Sequence, residues 1–287
     1  MSIVELIKYI FLGLIQGFTE VLPISSTGHV ALFQIILNID TDSGLVFMAI
    51  VNFGSLLAVV WHFRLYIGRL IKNFFVFMFD KESRNETRDD FLYAIKIIIG
   101  VIPAAFAGLF LTGYVNEIYK RYSLLLVGIG LLVTSTFLFI VRKGPERHVK
   151  QTLTFKDATI IGLLQPFSIV PGLSRSGITV SGGLLRKASM DTSLSFSFML
   201  YIPLSIGFAC QSVYYMIVQP TGHNLGFDPS DLYQYIYYGA AFLASLAATR
   251  IGLKYIFKWF RNGKLVIFAY YTLFLGMIAL VAGAVIL

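Results

Sequence analysis

Residues 16–29 read QGFTEVLPISSTGH, and they lie between two apolar runs, residues 3–15 and 30–37. The stretch holds a carboxylate (Glu20), a proline (Pro23), the hydroxyl run Ser25-Ser26-Thr27, a glycine and His29. Proline interrupts the helical hydrogen-bond ladder, and backbone groups freed in lipid must find partners in protein or trapped water. The segment therefore predicts two half-helices joined by a tip inside a membrane, not one clean span. A second polar knot, PGLSRSGIT at 171–179, interrupts the apolar stretch Ile160–Leu185 and carries Arg175. Ionisable groups at membrane depth are costly and mark functional sites by default. Glu20, His29 and Arg175 are thus candidates for one shared anion-handling site.

The surrounding chain is that of a membrane protein. Its 287 residues are 57% hydrophobic and only 13% charged, with a mean hydropathy of +0.77. Soluble domains carry about 25% charged residues, and several runs here reach the ~20 apolar residues a spanning helix needs. The net charge of +8 follows from basic loops, so no nucleic-acid partner is implied. Cys210 is the single cysteine, and the histidines (His29, His62, His148, His223) are scattered. Neither intrachain disulfide nor thiol cluster is available.

Six spans are expected: Leu45–Trp61, Phe91–Leu111, Leu124–Val141, Leu194–Val218, Tyr235–Ile251 and Val266–Leu287. Leu65–Phe79 is amphipathic and is expected to lie along the membrane surface. The segments 62–90, 142–156, 186–187 and 250–264 hold 18 of the 23 Lys and Arg residues. The positive-inside rule places them in the cytoplasm. The acidic loops with Asp40, Asp42, Asp228 and Asp231 then face outward, as do both termini. Six spans alternate correctly only if each broken segment enters and leaves on one side. The first hairpin then opens outward and the second toward the cytoplasm.

The broken segments also echo each other. Gly13-Leu-Ile-Gln16 matches Gly162-Leu-Leu-Gln165, Phe18-Thr19 matches Phe167-Ser168, and Pro23 is set against Pro171. Ser26 and Gly28 fall on Ser174 and Gly177 with a one-residue gap. Three spans separate the copies, so the second is upside down. The fold expected is an all-α polytopic membrane protein of six transmembrane helices plus two re-entrant helical hairpins. They form a single membrane domain, 1–287, whose inverted repeats cover roughly 1–141 and 157–287. Such architecture sets half-helix N-termini toward an anion near the bilayer midplane.

The residue types at the knots suit phosphate. Helices restart near Ser26–Thr27 and Ser174–Ser176, and their free N–H groups and positive dipole ends attract it. Arg175 adds a planar fork for bidentate contact. Gly28, Gly172 and Gly177 allow close backbone approach. Glu20 and His29 supply an acid/base pair, with either Ser26 between them or a water as the nucleophile. Plainer readings stand beside these: Ser25, Thr27 and Ser181 as simple caps, Arg175–Glu20 as a structural ion pair, and His29 as a hydrogen-bonding link. Gln16 and Gln165 are expected to tie hairpin backbone together, and Asn52 and Ser55 to join helices.

QGFTEVLPISSTGH and PGLSRSGIT resemble the two signature motifs of bacterial undecaprenyl-pyrophosphate phosphatases, the bacitracin-resistance protein family. Asn52–Val60 and the segment Ile102-Pro-Ala-Ala-Phe-Ala-Gly108 also resemble family segments. The resemblance implies a bacterial plasma-membrane enzyme that hydrolyses a polyprenyl pyrophosphate to the monophosphate carrier used in peptidoglycan synthesis. It also implies six spans with two re-entrant hairpins, and a homodimer. It makes Glu20 the second acidic position of an (E/Q)xxxE element and puts Ser26 and His29 in the catalytic set. Arg175, Ser174, Ser176 and Thr179 fall in the phosphate-binding loop. Gln16 stands where many members have Glu, so a metal held by two carboxylates is not expected. The sequence admits a divalent cation (Mg or Ca) bridging Glu20 and the pyrophosphate, but does not require one. The rival reading is a transporter or flippase of a lipid phosphate, with Glu20 and His29 as a proton relay; only the phosphatase releases phosphate.

Overall fold

The computed structural model describes residues 2–39, 44–143, 149–218, 231–261 and 265–286. Asp40, Asp42, Arg147, His148, His223, Asp228 and Lys264 lie outside them. The described residues are helical apart from short turns and one parallel bridge, Lys150–Ala188.

In chain order the helices are α1 (Ile3–Val21), α2 (Ser26–Ile36), α3 (Gly44–Phe79), α4 (Arg84–Ile140) and α5 (Phe155–Leu164). A 3₁₀ turn (Gln165–Ile169) follows, then α6 (Arg175–Leu185), α7 (Met190–Val218), α8 (Leu232–Arg261) and α9 (Leu265–Ile286). Both broken segments fold as helix pairs, α1/α2 and α5/α6. Six helices are long and apolar enough to cross a membrane: one each from α3, α7, α8 and α9, and two from α4.

α4 counts twice because it folds back. Tyr122 leaves helical geometry (φ −132°, ψ 39°). A straight helix would hold Gly100 and Gly130 about 45 Å apart. Yet Gln165 donates to the Gly100 carbonyl at 3.2 Å, and Gly130 abuts the backbone of Pro171–Leu173. The few residues from Gln165 to Pro171 cannot bridge that span, so the chain reverses at Tyr122.

Leu65–Phe79 differs from expectation. It continues α3 without interruption as the end of a 36-residue helix, instead of bending onto the surface. At 1.5 Å per residue α3 runs roughly 54 Å, well beyond a hydrocarbon core of about 30 Å. Arg69 and Asn73 on this extension bind Asp90 at the start of α4, at 3.1 and 2.6 Å. That contact ties the extension to the start of α4.

Small residues set the helix crossings near the site. Lipid offers no hydrophobic drive between helices, so close backbone approach and polar contacts must hold them. α1 carries Gly13 and Gly17 one turn apart, pressed onto the Ala241 and Ser245 carbonyls of α8. Thr249 donates to the Gly17 carbonyl at 3.0 Å and lies 2.9 Å from the Ser55 hydroxyl, and Ser245 donates to the Val51 carbonyl at 2.7 Å. Ser55 thus joins helices as expected. A β-carbon at Gly17 would sit 2.8 Å from the Ala248 β-carbon and closer still to the Ser245 carbonyl. Backbone cannot yield there. Gly17→Val is expected to cost about 2–3 kcal/mol as an overpacked contact, seen as a lowered midpoint in detergent thermal unfolding; an unchanged midpoint would refute the close crossing.

The base of the second hairpin is tied by Asp157, whose carboxylate is fully buried. Burial opposes its ionisation. Hydrogen bonds from Lys150 (2.8 Å), the Thr154 N–H (3.0 Å) and Arg186 (2.7 Å) outweigh that and hold its carboxyl well below the usual carboxylate range. A depressed folded-state pKa means the stabilisation is complete above the unfolded value near 3.9 and fades as pH falls below it. Asp157→Ala leaves two cations unpaired. They are about one-third exposed, so the expected cost is about 2–3 kcal/mol, below the range for a fully buried pair. Unfolding midpoints at pH 7 and pH 3 check this: the gap between wild type and variant should narrow at pH 3.

Candidate active site

Gln16 and Glu20 share one face of α1, a turn apart, and the Gln16 amide donates to Glu20 Oε2 at 2.8 Å. α1 ends at Val21, where Leu22 turns extended ahead of Pro23. Ser25 then opens α2: its hydroxyl accepts from the Gly28 N–H at 3.3 Å, and its own φ is +69°. Ser26, the first residue of α2, donates its hydroxyl to Glu20 Oε2 at 2.6 Å.

The second tip is built the same way. Ser174 opens α6, its hydroxyl accepting from the Gly177 N–H at 3.0 Å. Arg175, the first residue of α6, pairs with Glu20 Oε1. Its guanidinium lies over the Tyr201 ring, 4.0 Å from the centroid, a cation–π contact. The matching caps put Ser25 with Ser174, Thr27 with Ser176 and Gly28 with Gly177. No gap is needed, which revises the sequence-level pairing. In this register Pro23 falls on Gly172, and Ser26 and Arg175 occupy the same position after the cap in the two tips.

The tips abut reciprocally. A β-carbon on Gly28 would lie 3.1 Å from Gly172 Cα, and one on Gly177 would lie 3.3 Å from the Pro23 carbonyl. Ser176 adds a bond to the Leu22 carbonyl at 3.0 Å. Gly172 has φ +91° and presses on the Val127 backbone, so a side chain is excluded there on both counts. Thr134 holds this tip by donating to the Gly172 carbonyl (3.2 Å) and accepting from the Ser174 N–H (2.9 Å).

Two helix N-termini therefore meet beside one carboxylate and one guanidinium. The dipole ends add roughly half a positive charge each, so the site favours an anion despite Glu20. Glu20, Arg175, Ser176, Ser197, Phe198, Tyr201 and Val59 line a small cleft. Glu20 is nearly buried, whereas the Arg175 side chain is 21% exposed.

Not every candidate converges on this point. His29 turns away: its Nδ1 bonds the Ser25 carbonyl and its Nε2 the Tyr271 hydroxyl, both at 2.7 Å. Thr179 lies behind the loop, bonded to the Arg175 carbonyl (2.9 Å) and Ser197 (2.7 Å). Thr27 is exposed beside Ser25. Gln165 ties the second hairpin to α4 through Gly100, while Gln16 holds a side chain, not backbone. Sequence reasoning missed Tyr201, Tyr271, Thr134 and Ser197. They sit within apolar spans, and a chain with 16 tyrosines gives no local signal for two of them.

The donor set does not fit a divalent cation held by the protein alone. Glu20 is the single carboxylate of the cluster, both its oxygens take hydrogen bonds, and Gln16 turns its amide nitrogen toward it. Among the described residues no group of three or more His, Cys, Asp or Glu could hold a metal.

Residues 9–278 match the family model described as bacitracin resistance protein BacA. The undecaprenyl-diphosphatase of Oceanobacillus iheyensis is 34% identical over 276 residues, 96% of each chain. Undecaprenyl-diphosphatase 3 of Bacillus anthracis is 35% identical over 276 residues, 96% of this chain and 97% of its own. The undecaprenyl-diphosphatase of Acholeplasma laidlawii is 35% identical over 283 residues, 97% of each.

Proposed function

The chain belongs to the bacitracin resistance protein BacA family, and from that premise we propose that it is a multi-pass membrane phosphatase of the bacterial plasma membrane. It hydrolyses undecaprenyl pyrophosphate to undecaprenyl phosphate and inorganic phosphate, returning the lipid carrier to peptidoglycan synthesis. The observation that carries the reading is Glu20 holding Ser26 and Arg175 at once, each at the first position of one of two abutting helices.

In this mechanism the pyrophosphate docks on the two helix N-termini, and the donors of Arg175 not used by Glu20 take phosphate oxygens. Ser26 Oγ attacks the terminal phosphorus while Glu20 Oε2, already hydrogen-bonded to it, accepts the proton. The bond from that phosphorus to the bridging oxygen breaks, and undecaprenyl phosphate leaves. Water then attacks the phosphoserine, releasing phosphate and restoring the Ser26 hydroxyl. Arg175 and the dipole ends balance the charge spreading over the equatorial oxygens. No step is assigned to a metal.

The basic segments face the cytoplasm in this reading, both termini lie outside, and the first hairpin opens to the outer face. The reciprocal contacts of the tips support an inverted repeat of residues 1–141 and 157–287, with both hairpins re-entrant. A homodimer completes the reading. Phosphate release by the purified protein from undecaprenyl pyrophosphate in detergent tests the activity. Protein shown to be folded that releases none would overturn the proposal and favour lipid-phosphate transport.

A further inference from the structure

His29 is 2% exposed, and both ring nitrogens are engaged. A carbonyl oxygen can only accept, so the bond to the Ser25 carbonyl requires Nδ1 to carry a proton. In the neutral ring Nε2 is then the acceptor, and the Tyr271 O–H must donate to it. The hydrogen bond at one nitrogen thereby fixes what the other does. The two rings lie 13° from parallel with centroids 5.5 Å apart, and the Tyr271 hydroxyl meets Nε2 at 2.7 Å. Tyr271 belongs to α9, and one turn further on Leu275 packs with Ala31 of α2 against Val127 and Leu131 of α4. The tyrosine is therefore carried on a surface already docked to the helix that bears His29.

What His29 grips matters more than what it faces. Ser25 has φ +69°, a conformation that a non-glycine residue holds only when its surroundings over-determine it. Its carbonyl takes two bonds from His29, one from the ring and one from the backbone N–H at 3.2 Å. That carbonyl belongs to the peptide joining Ser25 to Ser26. Turning this peptide would swing Ser26 away from Glu20, where its hydroxyl sits at 2.6 Å.

We propose that Tyr271 is a positioning residue of the reaction: it locks His29 as the Nδ1–H tautomer, and His29 in turn holds the Ser25 peptide that aims Ser26. The proposal rests on the phosphatase reading for its kinetic consequence, but not for its geometry. Tyr271 touches no substrate. It acts through His29, and His29 acts through the loop.

The experiment has a spectroscopic arm and a kinetic arm. The whole protein is labelled with ¹⁵N-histidine in detergent, and the His29 signals are identified by their loss in His29→Ala. The expected result is a ring protonated at Nδ1, with the Nε2 resonance shifting in Tyr271→Phe as its hydrogen bond is lost. A ring protonated at Nε2 in the wild type would overturn the proposal. For phosphate release from undecaprenyl pyrophosphate, Tyr271→Phe is expected to lower kcat about tenfold with KM unchanged, the signature of a misplaced reacting group. His29→Asn keeps an N–H donor near the Nδ1 position and loses the atom that meets Tyr271. It should keep far more activity than His29→Ala, and Tyr271→Phe should add nothing in that background. Wild-type kcat in Tyr271→Phe, His29→Asn as inactive as His29→Ala, or a further tenfold loss in the Asn background would each overturn it. If wild type releases no phosphate at all, the phosphatase reading fails, while the tautomer measurement still judges the geometry.

Discussion

Arg175→Ala will lower kcat/KM for phosphate release by about 10³-fold or more, the scale seen when an arginine that meets transition-state charge is removed. Three observations set the size. Among the described residues Arg175 is the cation that pairs with Glu20, it is braced over Tyr201, and it lines the cleft with a partly exposed side chain. Its loss leaves the Glu20 charge nearly buried without its ion partner, and that charge then offsets the two dipole ends, so the site loses its net attraction for an anion. Arg175→Lys separates charge from geometry. A lysine keeps the charge but cannot hold Glu20 and a phosphate with one planar group, so recovery of no more than a tenth of the activity is expected. Steady-state phosphate release with detergent-solubilised variants measures both, with an unfolding midpoint as control. Wild-type turnover in folded Arg175→Ala would leave the ion pair a purely structural element.

Ser26→Ala is the second large effect, expected at about 10³- to 10⁴-fold in kcat, because water must then replace a positioned nucleophile. Glu20→Gln should fall comparably, since an amide cannot accept the Ser26 proton. Acid quenching with substrate labelled in the terminal phosphate should trap label on wild-type protein and none on Ser26→Ala. If Ser26→Ala keeps a tenth of wild-type turnover and no label is trapped, water is the nucleophile and Ser26 only orients it.

The tips were legible because their chemistry is local. Pro23 ends α1, Ser25 and Ser174 cap the helices that follow, and Gly172 occupies a conformation that suits little else. Six spans could be read from apolar length, and among the described residues six helices qualify. The register between the two tips was misread because Pro23 and Pro171 are alike in type; the caps keep the offset of Gln16–Gln165 and Phe18–Phe167, which sets Pro23 against Gly172. Leu65–Phe79 was misread because amphipathicity records which face is apolar, not whether the preceding helix bends. Tyr201 and Tyr271 were out of reach. Each meets its partner from a distant helix, and nothing near it in sequence encodes that meeting.

Glu20 comes from one half of the chain and Arg175 from the other, and each tip rests on the other's backbone. A nascent chain therefore possesses the carboxylate, the serine and one helix N-terminus long before it possesses the guanidinium and the second N-terminus that complete the site. In the proposed mechanism, competence therefore requires the second helix pair seated against the first, and a chain that stops short of it is inert toward the lipid carrier.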